Sequence, residues 1–130
     1  MDIDRNLKYW LESAEEDWKV AGHLLEKGDY SHSLFFGHLT LEKTLKAIFV
    51  EKNRNIPPYT HRLVYLAEVG ELKLTEEQTE LLEVVTDFNI EARYPDEEFN
   101  FRKKCTREFA EEYLKKIGEM KEWLKQWIKA

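Results

Sequence analysis

Residues 33–50 read Ser33-Leu34-Phe35-Phe36-Gly37-His38-Leu39-Thr40-Leu41-Glu42-Lys43-Thr44-Leu45-Lys46-Ala47-Ile48-Phe49-Val50. Leu34, Phe35, Leu41, Leu45, Ile48 and Phe49 recur at helical spacing, and the run is apolar enough to predict a helix at the centre of a fold. Asp29 or Ser31 is placed to cap its first amides. Residues 53–58 end it, because the paired Pro57 and Pro58 cannot continue a helix and push the preceding residue to extended geometry.

Working outward, the preceding segment repeats the pattern. Leu7, Trp10, Leu11, Ala14, Trp18, Ala21, Leu24 and Leu25 fall three and four apart and paint one stripe, which Gly28 closes. After the prolines, Leu63, Leu66, Ala67 and Val69 predict a short helix stopped by Gly70. Thr75-Glu76-Glu77-Gln78 matches a capping box, so a helix begins at Glu76, buries Leu81, Leu82, Val85 and Phe88, and ends near Tyr94-Pro95. A last long helix is expected from about residue 103 to 129, with Phe109, Tyr113, Ile117, Met120, Leu124, Trp127 and Ile128 on one side. The expectation is all-α: one domain over residues 1–130, an antiparallel four-helix up-and-down bundle with a short extra helix between the second and third long helices.

Composition narrows the function classes. The apolar share of 42% with 35% charged residues describes a folded globular chain. A formal net charge of -6 argues against a generic nucleic-acid binder, although Lys43, Lys46, Lys52, Arg54 and Arg62 gather centrally while residues 68–98 are almost wholly acidic. The first residues lack a signal-peptide pattern and no apolar run reaches membrane-spanning length, so a cytoplasmic location without membrane contact is expected. Cys105 stands alone, which excludes an internal disulfide. Abundant Glu and Lys with scarce Gln, Met and Cys fit a thermophile. Phosphate-binding glycine loops, repeats, a nucleophile elbow and helical metal-ligand spacings of His23, His32, His38 and His61 are absent from the sequence.

Polar residues then stand out against the helical pattern. Glu42 and Lys46 share a helix face four residues apart, a spacing that serves a stabilising ion pair or a site, while Lys43 points about a quarter-turn away. His61 follows a rigid Pro57-Pro58 turn, with Thr60 placed as a helix cap. Its imidazole is suited to acid, base or phosphate chemistry, or to a hydrogen bond with a carboxylate such as Glu42 that pins the loop. Arg93 ends the third long helix beside Tyr94, where a guanidinium grips a phosphate or a carboxylate.

Three motifs carry these residues in fixed order: Glu42-Lys43-Thr44-Leu45-Lys46-Ala47, Thr60-His61-Arg62-Leu63 and Glu91-Ala92-Arg93-Tyr94-Pro95-Asp96. With Trp10, Ala14, Asp17, Ala21 and Gly28-Asp29-Tyr30, the chain resembles a HEPN domain over nearly its whole length. The resemblance implies a nucleotide- or phosphate-binding site of Glu42, Lys43, Lys46, His61, Arg93 and Tyr94, without a metal or bound cofactor other than a possible nucleotide. HEPN ribonucleases carry an arginine and a histidine separated by four to six residues, with two such pairs brought together across a dimer. After Arg93 those positions hold Glu98, Phe99 and Asn100, and the interval from Arg54 to His61 is read as one residue too long and spans the prolines. The chain therefore resembles the non-nucleolytic branch, whose small members are often encoded beside a minimal nucleotidyltransferase in toxin-antitoxin-like pairs. A metal-independent ribonuclease toxin acting on RNA with Arg93 and His61 as unorthodox partners, and a purely structural dimerisation module with no ligand, are the alternatives. Four tryptophans exceed the need of one small core, which, with the family's habit of pairing, predicts a homodimer.

Overall fold

A computed structural model describes residues 2–129 as six helices: α1 (Ile3–Glu26), α2 (Tyr30–Asn53), α3 (Leu63–Val69), α4 (Glu76–Arg93), α5 (Pro95–Lys104) and α6 (Arg107–Lys125). The fold is all-helical among the described residues, and none of the helices is long and apolar enough to cross a membrane. Local chemistry sets the ends. Asp2 accepts from the amides of Asp4 and Arg5 at the start of α1, and Gly28 takes the left-handed φ of 82° that turns the chain into α2. The capping box at Thr75 and Gln78 forms in both directions.

The last segment departs from the sequence expectation. Instead of one helix from about residue 103, Pro95 occupies the first turn of α5, where its missing N–H is no loss, and the chain breaks at Cys105. Thr106 then caps α6 by accepting from the Phe109 amide, and α6 ends at Lys125 rather than near residue 129. Cys105 is buried at this junction, and burial pushes its thiol up to about 12, so it stays protonated and inert. Thr60 is not the cap of α3. That helix starts after Arg62, and Thr86 of α4 accepts from the Leu63 amide at 3.2 Å.

Helix α2 is buried on nearly all sides, as its apolar run requires. It runs antiparallel to α1, because partners descend in α1 as they ascend in α2: Ser33 Oγ donates to the Ala21 carbonyl (2.7 Å), Lys43 Nζ to Ser13 Oγ (2.7 Å), and Lys46 Nζ lies 5.0 Å from the Trp10 ring. Close approach to α6 depends on Gly37. A Cβ there would lie 2.9 Å from Ile117 Cδ1 and 3.1 Å from Leu114 Cδ2. Against α1, Gly118 leaves room for Trp18, and Lys121 Nζ reaches Glu15 at 3.0 Å. Leu34, Leu41, Leu45, Leu66, Phe88, Phe101 and Ile117 form the core, with Phe109 and Tyr113 edge-on to Phe88.

Candidate functional site

The central helix carries a polar stripe through this core. His38, Glu42 and Lys46, each one turn from the next, are all buried. Such groups are expensive to desolvate unless partnered, and each has a partner. Lys46 Nζ donates to Glu42 Oε2 at 3.0 Å and lies against the Trp10 face. The other carboxylate oxygen, Oε1, accepts from His61 Nδ1 at 2.8 Å. The hydrogen bond to Glu42 considered from sequence is therefore formed, and it places a proton on Nδ1 of a ring whose side chain is 40% exposed.

His38 joins this arrangement to α4. Its Nε2 lies 3.1 Å from the His61 carbonyl, which only accepts, so His38 carries its proton there. Its Nδ1 is then the acceptor for Asn89 Nδ2, 3.5 Å away. Burial holds His38 below the usual histidine range, against the pull of the His61 carbonyl and of Glu42, in keeping with this neutral tautomer. Asn89 is itself buried, and its Oδ1 accepts from Arg93 Nη2 at 2.6 Å while its carbonyl accepts from Nε at 3.2 Å. A continuous series of hydrogen bonds thus runs from Arg93 through Asn89, His38 and the His61 backbone to Glu42 and Lys46.

Of the six residues named from sequence, Glu42, Lys46, His61 and Arg93 belong to this network, and the two of these that are not buried are His61 and Arg93. Tyr94 is exposed next to Arg93, its ring 5.7 Å from the guanidinium carbon. Lys43 is elsewhere: its ammonium is 2.6 Å from Asp17 Oδ2 and donates to Ser13 Oγ, which joins α1 to α2. His38 and Asn89 are the members that sequence reasoning missed. A signal was present for both, since His38-Glu42-Lys46 and Asn89-Arg93 are polar stripes of spacing four on helices otherwise apolar at those faces.

The Arg54–His61 interval needs correction. Six residues intervene, which lies inside the ribonuclease window rather than beyond it. Geometry separates the pair instead. Arg54 ends α2, about 18 Å of helix rise from Glu42, which holds the His61 ring, and its guanidinium is hydrogen-bonded to Asp4 of α1.

The HEPN domain pattern matches residues 7–127. The chain belongs to the HEPN family. It is 28% identical to "Putative toxin MJ1304" of Methanocaldococcus jannaschii, over 98% of this chain and 93% of that protein. The crystal structure of TT1696 from Thermus thermophilus superposes with a TM-score of 0.78 at 24% identity, over 94% of this chain and 98% of that one, a likeness of fold.

Proposed function

We propose that this HEPN protein is the non-catalytic binding member of a toxin-antitoxin-like pair, taking the phosphate of a nucleotide at Arg93 and His61 and working with a minimal nucleotidyltransferase as partner. The reading includes a homodimer and an up-and-down arrangement of α1, α2, α4 and α6. One observation carries it: Glu42 holds the His61 imidazole and Asn89 holds the Arg93 guanidinium, with His38 joining the two through the His61 carbonyl and the Asn89 amide. Both side chains are therefore ordered before any anion arrives, Arg93 as a donor and His61 as a donor once Nε2 carries a proton beside the Glu42 carboxylate. Lys46 is consumed by Glu42 and serves the site through that ion pair. The relative named as a toxin supports the pairing. Calorimetric titration with inorganic triphosphate tests the site: binding that Arg93→Ala and His61→Ala each weaken about 10-fold or more supports it, and binding indifferent to both refutes it.

A ribonuclease reading, with Arg93 and His61 as partners, is favoured by one observation, the toxin-named relative. Incubation with RNA decides between the two. Cleavage lost in both Arg93→Ala and His61→Ala replaces the binding reading, whereas intact RNA leaves it standing.

A further inference from the structure

We infer that Tyr59 is a stacking platform for the base of the ligand, so that the site takes a nucleobase joined to a phosphate rather than a bare anion; this rests on the reading of Arg93 and His61 as phosphate ligands. Tyr59 is 95% exposed, more than any other large apolar side chain among the described residues, and its ring is therefore almost unpacked. Leaving an aromatic ring in water forfeits the burial that normally fixes it. Yet its backbone is held on both sides. Pro57 and Pro58 precede it, with Pro57 buried, and His61 follows two residues later, anchored by its ring to Glu42 and by its carbonyl to His38. An ordered backbone thus presents an unpartnered ring.

The surroundings select the ligand. The Tyr59 centroid is 6.1 Å from that of His61, with the planes inclined at 59°, and 6.0 Å from the Lys46 ammonium. A flat group resting on Tyr59 therefore lies alongside the half-exposed His61 imidazole. One free ring offers far too little area for a protein partner, which needs roughly 1,000 Å² in total, but it suffices for a base, since stacking uses a single π-face. Free nucleotides and single-stranded RNA present the same chemistry.

The test is calorimetric titration of the intact protein with inorganic triphosphate, ATP and the 5′-phosphorylated diadenylate. Tyr59→Ala folds normally because the ring packs on so little, and Tyr59→Trp restores a π-face. The expected result is a loss of about 10-fold or more in affinity for ATP or the diadenylate in Tyr59→Ala, recovery in Tyr59→Trp, and an unchanged affinity for triphosphate. Tighter binding of the diadenylate than of ATP assigns the site to a strand, and the converse to a free nucleotide. Unchanged ATP and diadenylate binding in Tyr59→Ala overturns the stacking role while triphosphate binding keeps the phosphate site. A failure of all three probes to bind the unaltered protein overturns both.

Discussion

Glu42 binds Lys46 with one oxygen and His61 with the other, and it does so with almost no access to water. Removing one partner of a buried pair leaves an uncompensated charge, which costs more than the pair itself contributes. Lys46→Met is expected to lower unfolding stability by about 3 kcal/mol, and adding Glu42→Gln should recover a good part of the loss; urea denaturation of the single and double variants measures both. His38 supplies a pH dependence. Unfolded, it titrates near the ordinary 6.5; folded, burial lowers it, with His61 and Arg93 adding to the effect and the His61 carbonyl and Glu42 opposing it. As pH falls through 6.5 the unfolded chain gains a proton that the folded chain resists, so this contribution is complete above 6.5 and is lost on acidification towards the folded value. His38→Gln, whose amide still donates to the His61 carbonyl, should show a smaller drop in urea midpoint between about pH 7 and pH 5 than the unaltered protein. An equal drop would remove His38 as its source. Glu42, Lys46, His61 and Arg93 were legible as polar residues out of place; Asn89 and His38 carry the same spacing signal, but a sequence shows two polar stripes without showing that they face each other, so their joining of the two was not legible.

At the scale of elements, the readable features were those whose cause is local. The capping box at Thr75, the proline break after α2 and the left-handed Gly28 depend on a few adjacent residues, and each acts where the sequence put it. Thr75→Ala removes the oxygen that serves the Gln78 amide and should cost about 1 kcal/mol, read as a lower thermal midpoint; no change would show that water replaces the cap. The division of the last segment into α5 and α6 was not read. Pro95 marks a stop when met from α4 and a start when met from α5, and Thr106 with Phe109 gave the second boundary only as a three-residue cap signal. Gly37 likewise carries no message in sequence, since its use is the nearness of Ile117 and Leu114 on a helix far along the chain. Gly37→Leu should therefore push α6 from α2 and destabilise the chain by about 2 kcal/mol or more, measurable in the same urea experiment.

For the whole molecule, the aromatic surplus noted in the sequence remains at the surface. Trp10, Trp18 and Trp123 are half-buried, Trp127 is 40% exposed, and Trp123 and Trp127 lie 4.3 Å apart at the end of α6. A homodimer is expected to cover part of it, and light scattering at micromolar concentration should give about twice the 15.6 kDa of one chain; a value of one chain would contradict that expectation. On the proposed reading a chain of net charge -6 takes a phosphate because His61, held by Glu42, and Arg93, held by Asn89, act at short range. That joint action is the central claim, and nitrogen-detected NMR of the histidine and arginine side chains during a titration with inorganic triphosphate tests it most directly. The account predicts that His61 Nε2 and Arg93 Nε shift together with one midpoint, while exposed His23 and His32 do not follow. Separate midpoints for His61 and Arg93, or shifts confined to His23 and His32, would contradict it.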